Sequence, residues 1–263
     1  MQWRAAMTTV ENYSAIIAAG GEGRRFGKDG KLKYKLGGKS LFSHSLDLFD
    51  GDQRCREVVV SASPELREWV GGDPLTFSST KLKLIDAAAS RAQSVVDAAT
   101  AAGGEVIVIQ NSICPNIVLE LVDKLLATVR PEIGAVPALP LPGAAAYMTS
   151  TLPDSGDAKD AMEDLLGPRA DHRLGHLMEH PDSEGLMLIQ TPQAYNRTSF
   201  LAAAGKAGEL EQFADDSALY LAGGFEVAAI AGHRGNLPLH TEADFKLLAK
   251  LMGSGPRKKD KYT

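Results

Sequence analysis

Short apolar runs that suit β-strands alternate along this chain with longer segments of helical periodicity, and few folds accommodate such an alternation. The strand-like runs fall at 15–18, 57–61 and 83–86, and helical patterns follow them at 40–49, 65–70 and 90–102. Strands that alternate with helices are typical of right-handed βαβ units on a parallel sheet. We therefore predict a three-layer α/β/α fold built on a mostly parallel sheet.

The same pattern continues in the second half of the chain. A strand predicted at 106–110 precedes a helix predicted at 116–129, in which Ile117, Leu121 and Leu125 fall on one face. Further strands are predicted at 134–139, 186–190 and 226–231, and further helices at 199–207, 217–222 and 242–252. The alternation therefore predicts one domain that covers residues 14–252.

The alternation is interrupted once, between residues 140 and 181, where Pro, Gly, Ala and Asp are frequent. We interpret this stretch as an insertion at about 141–183 that forms a small arm. Residues 1–13 and the Lys- and Arg-containing tail at 253–263 are predicted to be disordered extensions.

Charge and cysteine content exclude several classes of function. The formal net charge is −5 and no sustained basic stripe is present, which argues against a nucleic-acid partner. The chain has 2 cysteines, Cys55 and Cys114, without CxxC spacing, so a disulfide framework or a cysteine zinc site is not expected. No apolar run reaches the length of a membrane span. We expect a cytoplasmic protein that binds a small anionic ligand and no membrane.

A glycine-rich loop follows the first predicted strand, with the sequence AAGGEGRRFG at 18–27. Glycines allow the backbone N–H groups to approach anionic oxygens, and Arg25 and Lys31 supply positive charge nearby. The loop differs from a dinucleotide fingerprint at Phe26, where that motif needs glycine or alanine. A P-loop that ends in Gly38-Lys39-Ser40 would need glycine where Lys33 stands. The sequence therefore predicts a triphosphate-binding loop of another kind, although an ordinary βα turn has the same composition.

Ligands of open α/β sheets bind at the carboxyl ends of the strands. The segments expected along that rim are 20–27, 86–94, 110–115, 137–143 and 191–193. Together they resemble the 2-C-methyl-D-erythritol 4-phosphate cytidylyltransferase family, over about residues 15–251. The resemblance is carried by the glycine-rich loop, Lys31, LGGKSL at 36–41, SRAQSV at 90–95, VPALP at 136–140 and TPQAY at 191–195. It implies a Rossmann-like, nucleotide-diphospho-sugar transferase-like fold and a homodimer formed through the arm.

The resemblance implies an enzyme that joins CTP to a polyol phosphate, releases pyrophosphate, and serves isoprenoid precursor synthesis by the non-mevalonate pathway. It implies Mg²⁺ or another divalent cation as cofactor, and Arg25 and Lys31 as the catalytic residues beside the α-phosphate. It also implies Thr191 and Asp215 as acceptor-binding residues. The nucleotide-binding residues that it implies are Ala19, Gly20, Gly21, Gly23, Ala88, Ala89, Ser94 and Asn111.

The chain departs from the family pattern at the metal and acceptor positions. Asn111 stands where the family has a metal-binding aspartate, and an amide oxygen brings no charge to Mg²⁺. Capping or shaping the following turn is an equally good interpretation of Asn111. Ser183, Ala214 and Pro238 stand where the family has an arginine, a threonine and a lysine that contact the acceptor. These departures favour two alternatives, a transferase with another sugar or polyol phosphate acceptor and a nucleotide-binding relative without catalysis.

Three histidines, His172, His176 and His180, recur every four residues. On a continuous helix this spacing would align zinc ligands, but Gly175 and Pro181 disfavour such a helix. We interpret the three as unrelated surface residues.

Overall fold

The computed structural model describes residues 10–20, 31–73, 77–148, 177–181 and 185–253. The chain divides into two compact units, one formed by Met1–Leu139 with Ile189–Thr263 and the other by Pro140–Leu188. Of the predicted extensions, only residues 10–13 and 253 lie inside the described ranges. No helix in those ranges combines the length and the apolar character needed to cross a membrane.

Among the described residues, the main strands and helices alternate as the sequence predicts. The strands are β1 (Tyr13–Ala19), β2 (Lys35–Leu36), β3 (Lys39–Ser40), β4 (Cys55–Ala62), β5 (Leu82–Asp86), β6 (Val106–Asn111), β7 (Ile133–Pro140), β8 (Tyr147–Met148), β9 (Leu177–Glu179), β10 (Met187–Ile189), β11 (Gln193–Asn196) and β12 (Glu226–Ala231). The helices are α1 (Leu41–Gly51), α2 (Pro64–Gly72), α3 (Arg91–Ala101), α4 (Leu119–Thr128), α5 (Arg197–Lys206), α6 (Asp216–Ala222) and α7 (Glu242–Gly253). Five short strands of the described residues, β2, β3, β8, β9 and β11, were not predicted.

The main sheet of the larger unit has the strand order β5-β4-β1-β6-β11-β7, and β12 also pairs with β7. β1 runs parallel to β4 and β6, and β12 runs parallel to β7. β11 is antiparallel to both of its neighbours. The sheet is therefore mixed but mostly parallel, which confirms the predicted fold class.

Successive side chains of β1 enter two different cores. Ala15 and Ile17 pack in a cluster with Phe42 of α1, whereas Ile16 packs in a second cluster with Val95 of α3 and other residues of α3, α5 and α6. Because neighbouring residues of a strand point to opposite faces, this division places helices on both sides of the sheet. The larger unit thus has the three layers that the alternation predicts.

The segment that joins β1 to α1 contains a short 3-10 helix and a hairpin. Residues Lys31–Lys33 form the 3-10 helix, and β2 and β3 pair in antiparallel fashion. Gly37 and Gly38, between the two strands, have φ values of +59° and +87°. Two-residue hairpin turns require such positive φ values, which explains the glycine pair of the LGGKSL segment.

A buried ion pair lies at the amino end of β1, opposite the rim where the strands end. Arg54 donates to both carboxylate oxygens of Asp52, at 2.8 to 3.2 Å, and the Tyr13 hydroxyl donates to Oδ2 at 3.0 Å. Burial alone would raise the pKa of Asp52, but the hydrogen bonds from Arg54 and Tyr13 outweigh it and hold that pKa below its usual value. The carboxylate therefore binds fewer protons in the folded state than in the unfolded state.

We expect Asp52→Asn to lower the free energy of unfolding at neutral pH by about 2 kcal/mol, because Arg54 loses a buried ionic partner. A depressed pKa stabilises the fold above the unfolded value, about 4, and this contribution disappears as the pH falls through the folded pKa. The free energy of unfolding in urea, measured between pH 2 and pH 7, should therefore fall less at low pH in the variant than in the wild type. An equal fall in both proteins would contradict the lowered pKa of Asp52.

Candidate active site

The strand ends of the larger unit are tied together by hydrogen bonds at one edge of the sheet. Ser112, directly after β6, donates from Oγ to the carbonyl of Ala18 in β1, at 2.8 Å. The N–H of Asn111 in β6 donates to Oγ1 of Thr191, at 3.3 Å. Because β11 runs antiparallel to β6, its amino end lies at the carboxyl end of β6. Thr191 therefore reaches the same rim as the loop that follows β1.

One half of this rim is formed by Gly20, the residue after β1, and by the turn at residues 87–94, where α3 begins. Oγ of Ser94 accepts a hydrogen bond from the N–H of Ala88, at 2.9 Å, and Ser94 is buried. Ser90 caps α3 by accepting from the N–H of Gln93, at 3.1 Å. A Cβ added to Gly20 would lie 2.6 Å from Cβ of Ala87 and 3.8 Å from Oγ of Ser94. The structure thus places Gly20 next to the 87–94 turn.

Asn111 shapes the loop that follows β6. Its Oδ1 accepts from the N–H of Ile113, at 3.3 Å, and its carbonyl accepts from the N–H of Cys114, at 3.0 Å. Side-chain bonds of this kind to the backbone two residues on are typical of Asx turns. Among the described residues, no group of three or more His, Cys, Asp and Glu side chains is placed to hold a metal ion. The hydrogen bonds therefore give Asn111 the turn-shaping role.

Asp215 and Asp216 begin α6, and their side chains point to different partners. Asp215 caps the helix by accepting from the N–H of Ser217, at 2.9 Å, and accepts from Nε2 of Gln193, at 2.9 Å. The carboxylate of Asp216 accepts from Nη1 and Nη2 of Arg91, at 2.9 and 2.6 Å. Burial raises the pKa of Asp216, and the facing Arg91 guanidinium opposes that shift. Asp215 therefore has a structural role as a helix cap, beside any role toward a ligand.

The loop after β12 covers the amino end of β11. Nδ2 of Asn236 donates to the carbonyl of Thr191, at 2.5 Å, and the N–H of Leu239 donates to the carbonyl of Ile113, at 2.9 Å. Pro238 lies in this loop, between those two contacts. Pro238, which stands where the resemblance implies an acceptor-binding lysine, thus lies at the rim and brings no cation.

Several predicted residues fall outside this description. Gly21, Gly23, Arg25, His172, His176 and Ser183 lie outside the described residues. Lys31 is described only through its backbone, at the start of the 3-10 helix. In the smaller unit, His180 contacts the carbonyl of Ala145 through Nδ1, at 3.0 Å. The described part of the candidate site therefore consists of Gly20 with residues 87–94 and the amino end of β11.

Sequence reasoning assigned no role to Arg91 or to Gln193, although both lie in the segments that carry the resemblance. Arg91 and its partner Asp216 are 125 positions apart, and Gln193 and Asp215 are 22 apart. No spacing rule connects residues at such separations. The sequence pattern that could have pointed to Gln193 is its place directly after Thr191 and Pro192 in the TPQAY segment.

A mostly parallel α/β sheet, with a glycine-containing turn and a buried serine at the strand ends, is consistent with a nucleotidyltransferase-like fold. A family model described as IspD, 2-C-methyl-D-erythritol 4-phosphate cytidylyltransferase, matches residues 13–149 and 161–254. The chain belongs to this family.

Curated relatives agree with that assignment, and a solved structure shares the fold. The 2-C-methyl-D-erythritol 4-phosphate cytidylyltransferase of Cereibacter sphaeroides is 29% identical over 252 residues, which cover 94% of this chain and 97% of the relative. The bifunctional enzyme IspD/IspF of Rhizorhabdus wittichii is 29% identical over 251 residues, and the chain spans 58% of its length. The structure of 4-diphosphocytidyl-2C-methyl-D-erythritol synthase from Anaerococcus prevotii shares the fold, with a TM-score of 0.70 at 18% identity, covering 93% of this chain and 99% of that one.

Proposed function

We propose that the protein transfers a cytidylyl group from CTP to a polyol phosphate, 2-C-methyl-D-erythritol 4-phosphate, and releases pyrophosphate. The proposal is carried by one observation, the meeting of Gly20 with the Ala88–Ser94 turn on a rim that Thr191 also reaches. The names of the relatives support the choice of substrates. The product would be a precursor in isoprenoid synthesis by the non-mevalonate pathway.

We call the part of the rim formed by Gly20 and residues 87–94 the nucleotide half. It can recognise a nucleobase through backbone groups and one hydroxyl. Because Oγ of Ser94 accepts from the N–H of Ala88, the hydroxyl proton can be donated to an acceptor atom of the base. We propose that Ala88 and Ala89 contact the base through their backbones, and that Ala19 and Gly20 begin the loop that holds the triphosphate. The glycines at 21 and 23 would allow the next residues to wrap the triphosphate.

The transfer requires positive charge near the phosphates more than it requires a general base. The phosphate of the acceptor is ionised at neutral pH, so it can attack the α-phosphorus of CTP without proton removal, and pyrophosphate leaves. The protein must align two polyanions and offset their charge. We propose that Arg25 and Lys31 do so from either side of the α-phosphate, with Thr191 and Asp215 on the acceptor side.

A divalent cation is expected to accompany CTP. The described residues do not fit a Mg²⁺ ion held by the protein, because Asn111 offers one neutral oxygen that already accepts a hydrogen bond. We therefore propose that the triphosphate, rather than a protein carboxylate, carries the cation.

Asn111→Asp is expected to lower the Mg²⁺ concentration needed for half-maximal activity by about tenfold, because a carboxylate adds charge to the cation site. The variant should also bind Mn²⁺–CTP more tightly than the wild type does, measured by calorimetric titration without acceptor. Equal Mn²⁺–CTP affinity in the two proteins would show that position 111 is remote from the cation.

The second candidate is transfer to a different sugar or polyol phosphate. Pro238 favours it, because its loop lies at the rim and position 238 carries no charge where the resemblance implies a lysine, although Arg234 lies in the same loop. A nucleotide-binding protein without catalysis is a third candidate, favoured by Asn111 in place of the family's aspartate.

Pyrophosphate release distinguishes the three candidates. The protein should be assayed with CTP, ATP, GTP and UTP, each against a panel of polyol and sugar phosphates, with Mg²⁺ or Mn²⁺. Turnover with CTP and 2-C-methyl-D-erythritol 4-phosphate is the expected result. Turnover with another acceptor alone would support the second candidate, and CTP binding without turnover would support the third.

We also propose that the protein is a cytoplasmic homodimer, joined through the smaller unit. Large apolar side chains of this unit are exposed, and Tyr147, Leu177 and Met178 are 60%, 67% and 70% exposed. Several exposed large apolar side chains within one small unit suggest a surface that a partner covers. Sedimentation analysis should show a dimer, and a monomer at micromolar concentration would exclude this interface.

Buried Cys55 and Cys114, which form no disulfide, are consistent with a reducing compartment.

A further inference from the structure

Arg91 and Asp216 form a buried, two-pronged ion pair inside the larger unit. Both terminal nitrogens of the guanidinium donate to the carboxylate, at 2.9 and 2.6 Å. The side chain of Asp216 is 2% exposed and that of Arg91 is 30% exposed. A planar guanidinium that holds a carboxylate with two parallel bonds fixes both the distance and the angle between the two groups.

The two ends of the pair belong to different halves of the proposed site. One is the nucleotide half, and the other is the acceptor half, formed by Thr191, Gln193 and Asp215. Arg91 is the first residue of α3, directly after the turn that Ser94 closes by accepting from the N–H of Ala88. Asp216 is the first residue of α6, and its neighbour Asp215 accepts from Nε2 of Gln193. Gln193 is the first residue of β11 and follows Thr191 by two positions. The pair therefore links the nucleotide half to the acceptor half.

A buried ion pair of this kind contributes little net stability, because the cost of removing both charges from water offsets most of their attraction. Its consequence is geometric, since it allows one arrangement of the two helix starts and disfavours others. Transfer between two bound phosphates depends strongly on alignment, and a displacement of about 1 Å can cost roughly a hundredfold in rate.

We infer that Arg91 is a positioning residue, which holds the cytidine-binding turn and the amino end of β11 in fixed register through Asp216. This inference rests on the proposed function, because it assigns the two halves to CTP and to the acceptor. Arg91 acts through Asp216 and contacts neither reacting atom.

Arg91→Lys is the test, because lysine keeps the charge but lacks the planar fork. We expect kcat to fall about thirtyfold while the KM for CTP changes less than threefold, since each half still binds its substrate. The matched control is Arg54→Lys, which alters an ion pair of similar burial at the opposite end of the sheet. The side chains of Asp52 and Arg54 are 5% and 33% exposed. Arg54→Lys should lower stability in urea but leave kcat unchanged.

The double variant Arg91→Met with Asp216→Leu separates positioning from folding. It removes both buried charges, so stability in urea should recover toward that of the wild type. We expect kcat to stay low in this folded protein. Recovery of kcat together with stability would show that the pair is merely structural and would overturn the inference.

Hydrogen exchange tests the linkage without any activity. Asp216→Asn should raise the exchange rate of the Ala88 amide about tenfold, although residue 216 lies on another helix, while amides in β1 keep their rates. Unchanged exchange at Ala88 would overturn the inference even if the wild type is an active cytidylyltransferase. Conversely, a wild type without turnover would refute the proposed function and leave the exchange result to decide the role of Arg91.

Discussion

Lys31→Ala and Arg25→Ala should each lower kcat for pyrophosphate release by about a hundredfold, which corresponds to roughly 3 kcal/mol of lost transition-state stabilisation. The physical reason is that charge builds up on the oxygens around the α-phosphorus as it passes between acceptor and pyrophosphate. A fixed cation stabilises that charge more than it stabilises bound CTP. The KM for CTP should therefore rise much less than kcat falls, as initial rates over a range of CTP concentrations would show.

Lys35→Ala is the control for this pair of variants. Lys35 lies on the exposed side of the short strand β2, four positions beyond Lys31, and we interpret it as a surface residue. The Lys35→Ala variant should retain kcat within about twofold, because solvent screens exposed charges. Thermal unfolding should show that all three variants are folded. Wild-type turnover in both Lys31→Ala and Arg25→Ala would remove the catalytic assignment.

The arrangement of strands and helices was open to prediction from the sequence because it depends on local patterns. The β-branched runs of β1, β4 and β6 are fully or nearly fully buried, and such strands read as apolar runs in any parallel sheet. The glycine-rich loop and the turn before α3 could be placed on one rim for the same reason. Parallel strands bring their carboxyl ends to one edge of the sheet.

β11 escaped prediction as a strand because its stabilising contacts are distant in sequence. It has four residues, and Gln193, its first, is fully buried although glutamine is usually exposed. The burial is tolerated because Gln193 donates to Asp215 and accepts from the hydroxyl of Tyr195 at 2.6 Å. The helix cap of Asp215 and the ion pair of Arg91 depend on the same packing. A single sequence carries no signal for these contacts.

Gly20→Ala is expected to raise the dissociation constant for CTP about thirtyfold. The added methyl would lie 2.6 Å from Cβ of Ala87, closer than side-chain carbons approach in proteins. Ala87 has no flexible side chain that could turn aside, so the turn must move, and the bond between Ala88 and Ser94 would stretch. Overpacking of this size costs about 2 kcal/mol, and we expect the cost to appear in CTP affinity, measured by calorimetric titration.

Gly205→Ala is the matched control, since a Cβ at Gly205 in α5 meets no atom within 4 Å. This change should leave CTP affinity unaltered and raise the free energy of unfolding by about 0.5 to 1 kcal/mol, because alanine favours a helix more than glycine does. If Gly20→Ala bound CTP as tightly as Gly205→Ala does, the turn at 87–94 could not be part of the nucleotide site. Weaker binding in Gly20→Ala alone would tie that turn and the start of the glycine-rich loop to the same ligand, because the clash acts on both.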